Sequence, residues 1–195
     1  MASETDTWDC QGVKKMQEIE KKYLLSEGGE YFITDEQLAR IGYRNINDLL
    51  AETFRGVSMT TSGYLPLEEG RELAEELGFT IDFELGEARL RHKAGRYFFA
   101  VKSNGSLERT ELEKEVSKEY FERHFGKIDG KVEKSRLKKP FQGYTLEIDV
   151  YMDRPLIVAE IEVPTQEEAE KLPVLGKEIT EDQRYKNKNL SREKK

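Results

Sequence analysis

The sequence predicts an α+β protein with about eight strands, several consecutive and antiparallel, and three or four short helices. Three observations carry this prediction. Short runs rich in Ile, Val, Phe and Tyr are punctuated by turn residues at Ala94-Gly95 and Ser103-Asn104-Gly105, the pattern of a β-meander. Helical apolar spacing is confined to brief segments that begin at a capping residue or end at a glycine. The length, 195 residues, suits one domain able to bury about 70% of its unfolded surface.

The elements follow in order. Residues 1–14 are polar and read as a mobile leader. Met16–Leu25 is the first structured piece; Glu18 and Lys22 could pair along a helix, or the segment could be a strand. Ile46, Leu49, Leu50 and Phe54 lie at helical spacing behind an Asn45 cap, and Leu67, Leu73 and Leu77 do so before Gly78. Val57–Leu65 is a weak strand. Thr80–His92 reads as a strand kinked at Gly86, followed by strands Tyr97–Lys102 and Leu107–Val116. Ser117–Phe125 is helical, with Tyr120, Phe121 and His124 on one face. Lys131–Lys138, Gly143–Met152 and Leu156–Val163 are further strands. Thr165 with Glu168, and Thr180 with Gln183, have the spacing of capping boxes. Residues 191–195 form a charged tail.

Composition excludes several classes. Charged and hydrophobic residues each make up 36% of the chain, and no run approaches the ~18 apolar residues of a spanning helix. The chain is expected to have no membrane partner. A formal net charge of −7 argues against nucleic acid held by the overall field. One cysteine, Cys10, permits no internal disulfide and points to the cytoplasm. His92 and His124 are too few and too far apart for a histidine metal site.

The distinctive feature is charge inside the strands. Glu18-Ile19-Glu20, Arg89-Leu90-Arg91, Glu111-Leu112-Glu113, Glu147-Ile148-Asp149 and Glu160-Ile161-Glu162 each place two like charges around an apolar residue; Lys134-Ser135-Arg136 is a polar-centred version. Residues i and i+2 share a strand face, so each couple points one way and its central residue the other. Such triplets are scarcely commoner than composition alone predicts, and a sheet with a solvated outer face accounts for them. From the pattern alone the solvated face is the favoured reading, and sign segregation adds only a little weight to an inward, functional one. Like-charge neighbours repel unless something bridges them: a hard divalent cation for the acids, a polyanion for the bases.

The Glu18-x-Glu20-x-Lys22 element resembles the ExExK signature of the CYTH superfamily, the triphosphate tunnel metalloenzymes. Further motifs follow in the same order: ARLR with Arg89 and Arg91, VKS with Lys102, RTELE with Arg109, Glu111 and Glu113, KSR with Lys134 and Arg136, LEID with Glu147 and Asp149, and AEIEVPTQEEAEKL with Glu160 and Glu162. The closing LGKEITEDQRYKNKNL is similar to the C-terminal signature of the simple bacterial branch, that of the inorganic triphosphatases. The resemblance spans roughly Met16 to Leu190. It implies a single domain over residues 15–190 with an extended connection at about 26–79, folded as an eight-stranded antiparallel β-barrel, a triphosphate tunnel, with flanking helices. The charge then belongs inside. That connection is longer than compact members use; its two helices could cap a tunnel mouth or pad the barrel, and padding is slightly favoured.

The implied activity is metal-dependent hydrolysis of inorganic triphosphate (tripolyphosphate) to pyrophosphate and phosphate. Alternatives are a class IV adenylyl cyclase, another organic triphosphatase such as a thiamine triphosphatase, and a non-catalytic polyphosphate-binding module. Lys22, Arg89, Arg91, Lys102, Lys134 and Arg136 are expected to hold the triphosphate. Glu18, Glu20, Glu113, Glu147, Asp149, Glu160 and Glu162 are the candidate shell for Mg²⁺ or Mn²⁺. Glu111 and Glu160 are candidates for orienting the attacking water. Buried like charges are costly without a ligand, so some carboxylates should have raised pKa values. The expected partner is a small-molecule triphosphate, and the chain is expected to be a monomer or homodimer.

Overall fold

A computed structural model describes residues 7–55 and 58–193. Residues 1–6 of the expected leader, Val57 at the start of the expected strand, and the last two residues of the tail lie outside this description. The elements, in order, are β1 (Thr7–Trp8), β2 (Lys14–Glu27), β3 (Glu30–Tyr31), α1 (Asp35–Arg40), α2 (Ile46–Arg55), β4 (Ser58–Tyr64), α3 (Leu67–Glu76), β5 (Leu85–Lys93), β6 (Arg96–Ser103), β7 (Glu108–Val116) and α4 (Lys118–Phe125). They continue through β8 (Lys131–Phe141), β9 (Tyr144–Tyr151), β10 (Leu156–Glu162), α5 (Gln166–Lys171), β11 (Lys177–Glu178), a 3₁₀ turn at Gln183–Tyr185 and α6 (Asn187–Leu190).

The strands hydrogen-bond in the order β2-β10-β9-β8-β4-β5-β6-β7, and β2 also pairs with β7. That return pairing closes an eight-stranded antiparallel barrel. The short strands β1, β3 and β11 attach to β2. Among the described residues no helix is long and apolar enough to cross a membrane.

The first element is a strand, not a helix. The fourteen-residue β2 pairs with β10 from Glu20 to Glu27, setting Lys22 against Glu160 and Glu20 against Glu162. From Thr7 the expected leader is also paired: Thr7 and Trp8 lie against Lys15 and Lys14, and the Asp9 carboxylate accepts from Gln11 N and Val13 N. Trp8 is 68% exposed.

The expected strand from Thr80 begins only at Leu85. Gly78, at φ 82°, turns the chain out of α3, and Phe79 N bonds Ala74 O, so the following residues belong to the helix exit. The kink at Gly86 is a bulge, with the β5–β6 register shifting between Leu85 and Glu87. Ala94 and Gly95, at φ 50° and 76°, make the tight turn that the sequence announces. Helix α2 starts as expected, with Asn45 Oδ1 accepting from Asp48 N at 3.0 Å. Thr165 caps α5 by accepting from Glu168 N. The second expected box does not form: Thr180 Oγ1 instead accepts from Lys22 N and donates to Glu178.

Two compact units divide the chain. The first contains the described residues up to Glu18, Thr61–Val132 and the segment from Gln183. Its core gathers Leu73, Phe79, Leu90, Phe99, Leu112 and Phe121, with α3 laid along β5. The second contains Ile19–Thr60 and Glu133–Asp182, around Leu24, Leu49, Leu146, Ile148, Val158 and Ile161. In each, apolar residues fill one face of the strands, and the charged couples occupy the other.

Candidate active site

In the first unit the register of β5, β6 and β7 writes the charge into rows. Glu87 lies opposite Lys102, and Lys102 opposite Glu111; the next row is Arg89, Ala100 and Glu113. Pleating turns these residues to one face, while Ala88, Leu90, Val101 and Leu112 turn to the core. Arg89 Nη2 donates to Glu111 Oε1 at 2.8 Å, and Lys102 Nζ lies 3.0 Å from Glu111 Oε2 and 2.6 Å from Glu18 Oε2. Arg91 donates to Glu113. Arg109 stands 3.6 Å from Glu18.

These groups are buried, Glu87, Arg89, Lys102 and Glu111 alike. Burial opposes the charged state of each, so the ionised ones depend on their neighbours. Burial and the neighbouring Glu111 push Glu18 up to about 8, against the pull of Lys102 and Arg109. Glu111 goes the other way. Burial opposes its charge, but Lys102 and Arg89 outweigh it and hold the carboxyl well below the usual range. The two acids thus move in opposite directions, Glu18 toward its protonated form and Glu111 toward its ionised one. Burial likewise works against Glu87, and Arg89, Lys102 and Arg109 bring it down.

In the second unit, one row of β2, β10, β9 and β8 reads Lys22, Glu160, Glu147, Lys138. Lys22 Nζ reaches Glu160 at 2.7 Å and Glu20 at 3.7 Å. Arg136 binds three carboxylates: it donates to both oxygens of Asp149 at 2.6 and 2.5 Å, to Glu160 at 2.6 Å, and to Glu147. Lys134 also donates to Asp149, which is wholly buried. Burial and the adjacent Arg136 lower the Lys134 ammonium pKa, while Asp149 and Glu160 oppose that pull. For Glu160, burial is outweighed by Lys22, Lys134 and Arg136, and the carboxyl is held well below the usual range.

The other residues singled out from sequence lie in these two networks, and Glu162 is exposed at the end of β10, opposite Glu20. The sequence reading passed over Glu87, Tyr64 and the depth of Arg109. Glu87-Ala88-Arg89 is a charged–apolar–charged triplet of mixed sign directly after the Gly86 kink, so a search for like-charge couples misses it. Tyr64 is buried, with Glu87, Arg89 and Arg91 as electrostatic neighbours. Its only signal is its place at the end of the polar, uncharged strand Ser58–Tyr64.

The acids offer oxygen ligands suited to a hard divalent cation. Among the described residues no three His, Cys, Asp or Glu are gathered as a metal cage. They converge in pairs instead: Glu18 with Glu111 on Lys102, and Glu20 with Glu160 on Lys22. A carboxylate or two, completed by water and substrate phosphate, is how Mg²⁺ is commonly held. The donor set fits such an ion.

A closed antiparallel barrel with buried, sign-segregated couples on its strands defines a protein built to handle a polyanion. No family model matches the chain. It is 38% identical over 112 residues to an inorganic triphosphatase of Nitrosomonas europaea, covering 54% of this chain and 74% of that one. It is 42% identical over 62 residues to an inorganic triphosphatase of Acetivibrio thermocellus, covering 30% of this chain and 40% of that one. The crystal structure of an inorganic triphosphatase matches it with a TM-score of 0.51 at 26% identity, over 91% of this chain and 95% of that one. The chain belongs to the CYTH superfamily, the triphosphate tunnel metalloenzymes, in their triphosphatase-like branch.

Proposed function

We propose that this protein is a metal-dependent inorganic triphosphatase, which hydrolyses tripolyphosphate to pyrophosphate and phosphate. The observation that supports the reading is the buried Arg89–Glu111–Lys102–Glu18 network, in which Glu111 takes both Arg89 and Lys102 and Lys102 also reaches Glu18. Phosphoryl transfer asks a protein for positioning and charge stabilisation more than for covalent chemistry, and these residues supply both.

Arg89, Arg91 and Arg136 give forked donors for phosphate oxygens, and Lys22, Lys102 and Lys134 give point charges. Each is ion-paired to a carboxylate in the free protein, so substrate oxygens take over donors that are already oriented. Glu18 with Glu111, and Glu20 with Glu160, are the pairs that hold Mg²⁺ or Mn²⁺. When bound, the ion neutralises phosphate charge and polarises the bond to be broken. Glu111 and Glu160 remain ionised at neutral pH and orient the attacking water. Asp149 and Glu147 fix the guanidinium of Arg136, and Glu113 fixes that of Arg91. Glu162, at the rim of its strand, is the most peripheral of the proposed acids.

The substrate is a small-molecule triphosphate, with neither nucleic acid nor membrane as partner, and the protein acts in the cytoplasm as a monomer or homodimer. The test is phosphate release from tripolyphosphate beside ATP, with Mg²⁺ or Mn²⁺. Metal-dependent release from tripolyphosphate is expected. Production of cyclic AMP and pyrophosphate from ATP assigns the chain to a cyclase instead, and tight anion binding without turnover makes it a binding module.

A further inference from the structure

The segment Gln183–Ser191 ends the first unit, and the proposed chemistry uses none of its residues. Its side chains nevertheless reach the backbone at the edge of the charged rows. Lys188 Nζ donates to the carbonyl of Gly86 at 2.8 Å. Lys186 Nζ donates to the carbonyl of Gly105, and Gln183 Nε2 to Ser106 Oγ at 2.9 Å. The segment is itself braced: Asn189 Nδ2 donates to Gln183 O at 2.6 Å, and Tyr185 and Leu190 are buried.

Gly86 is the bulge residue of β5, left out of the β5–β6 register between Leu85 and Glu87. A bulge frees a backbone carbonyl from the ladder, and an unpaired buried carbonyl is costly. Lys188 satisfies it. From this point the alternation of β5 is set: Glu87 comes next, opposite Lys102, and Arg89 two residues on. The space is tight as well, since a Cβ on Gly86 would lie 2.5 Å from Asn104 Oδ1 and 2.7 Å from Asn104 N. Gly105 belongs to the turn joining β6, which carries Lys102, to β7, which carries Glu111. Two ammonium groups thus hold backbone carbonyls beside the row Glu87–Lys102–Glu111, at Gly86 and at Gly105.

We propose that Lys188 is a positioning residue for the triphosphate site: by holding the Gly86 carbonyl it fixes the β5 bulge, and with it the placement of Glu87 and Arg89. The proposal rests on the hydrolase reading above and adds a function for the C-terminal segment. Lys188 does not touch substrate. Its removal lets the bulge relax, and displacing Arg89 by about 1 Å is enough to cost up to about a hundredfold in turnover.

The test compares the full-length wild type with Lys188→Met and Lys188→Arg. It measures kcat/KM for tripolyphosphate with Mg²⁺ well below every melting temperature, and tripolyphosphate affinity by calorimetry. In Lys188→Met, kcat/KM is expected to fall between about tenfold and a hundredfold. Lys188→Arg, which keeps a cationic donor, should restore most of it. A methionine variant with wild-type kinetics and affinity overturns the proposal, whatever its melting temperature. So does an arginine variant as impaired as the methionine one, because the loss then follows shape and not the donor. If Lys188→Met fails to fold, Lys188→Gln gives the same comparison with a smaller change. A wild type that binds tripolyphosphate without turnover contradicts the hydrolase reading alone; calorimetry then decides the role of Lys188, with weaker binding in the methionine variant supporting it and equal binding overturning it.

Discussion

Glu18 and Glu111 are the same residue type in the same network, yet their pKa values move in opposite directions. Position decides the difference. Glu111 receives both Arg89 and Lys102, whereas Glu18 faces Glu111 itself and shares Lys102. A carboxyl with a raised folded-state pKa stabilises the fold below its unfolded value, and that contribution is lost as pH rises through the folded value. For Glu18 the window runs from the ordinary carboxylate range up to about 8. Metal-free wild type is therefore expected to lose melting temperature across this window, and Glu18→Gln to flatten the slope. Thermal melts at several pH values check it; an unchanged slope in the variant contradicts it. Glu111 and Glu160, both depressed, have the opposite sign: their contribution is lost as pH falls below the ordinary carboxylate range. Arg89→Ala leaves Glu111 buried with one cation fewer, and should cost about a hundredfold or more in kcat/KM, as expected for removing a donor aimed at transition-state charge.

Helices α2 and α3 occupy the long connection and pad the strands from outside. Ser135 Oγ donates to Thr53 O in α2, and Ser135 lies on the face opposite Lys134 and Arg136. Gly70 of α3 sits against Ala88, which faces away from Glu87 and Arg89. Gly70→Ala tests this packing. Alanine favours a helix by about 1 kcal/mol over glycine, but the added Cβ would collide with the Ala88 Cβ on a paired strand, which cannot step aside. Overpacking costs about 1–3 kcal/mol, so the variant should melt lower, by roughly 2–4 °C per kcal/mol. A higher melting temperature contradicts close packing here. Much of this scale was legible in sequence: the Asn45 cap, the Gly86 bulge and the Ala94-Gly95 turn each follow from one residue's local chemistry. Helix α1 was missed although Thr34 and Gln37 form a complete capping box, because its six residues contain one buried apolar side chain, Leu38, and no periodicity. Thr180 was misread for the converse reason. Its spacing suits a cap, but a neighbour distant in sequence, Lys22, claims its hydroxyl.

At the scale of the molecule, the fold holds many ionised groups out of water, which is favourable only while each is paired. Neither composition nor alternation could say whether the charged faces pointed outward or inward, since both give the same triplets. Only strand pairing decides, and it sets Lys102 between Glu87 and Glu111 and Lys22 against Glu160. Motif order read through the family resemblance supplied that answer in advance; mixed-sign Glu87 and the neutral Tyr64 lay outside what a search for like-charge couples detects. A metal-bound polyanion should stabilise such a protein by linkage, by about 2.7 kcal/mol at a hundred times its dissociation constant. Tripolyphosphate with Mg²⁺ is thus expected to raise the melting temperature, and no rise speaks against a site of this kind. The central claim is most directly tested by phosphate release from tripolyphosphate with and without Mg²⁺ or Mn²⁺, for wild type, Glu18→Ala and Arg89→Ala. Metal-dependent release that each substitution lowers by about a hundredfold or more is the predicted result. Release at near wild-type rates in either variant, or release that needs no metal, contradicts the assignment of these charges to catalysis.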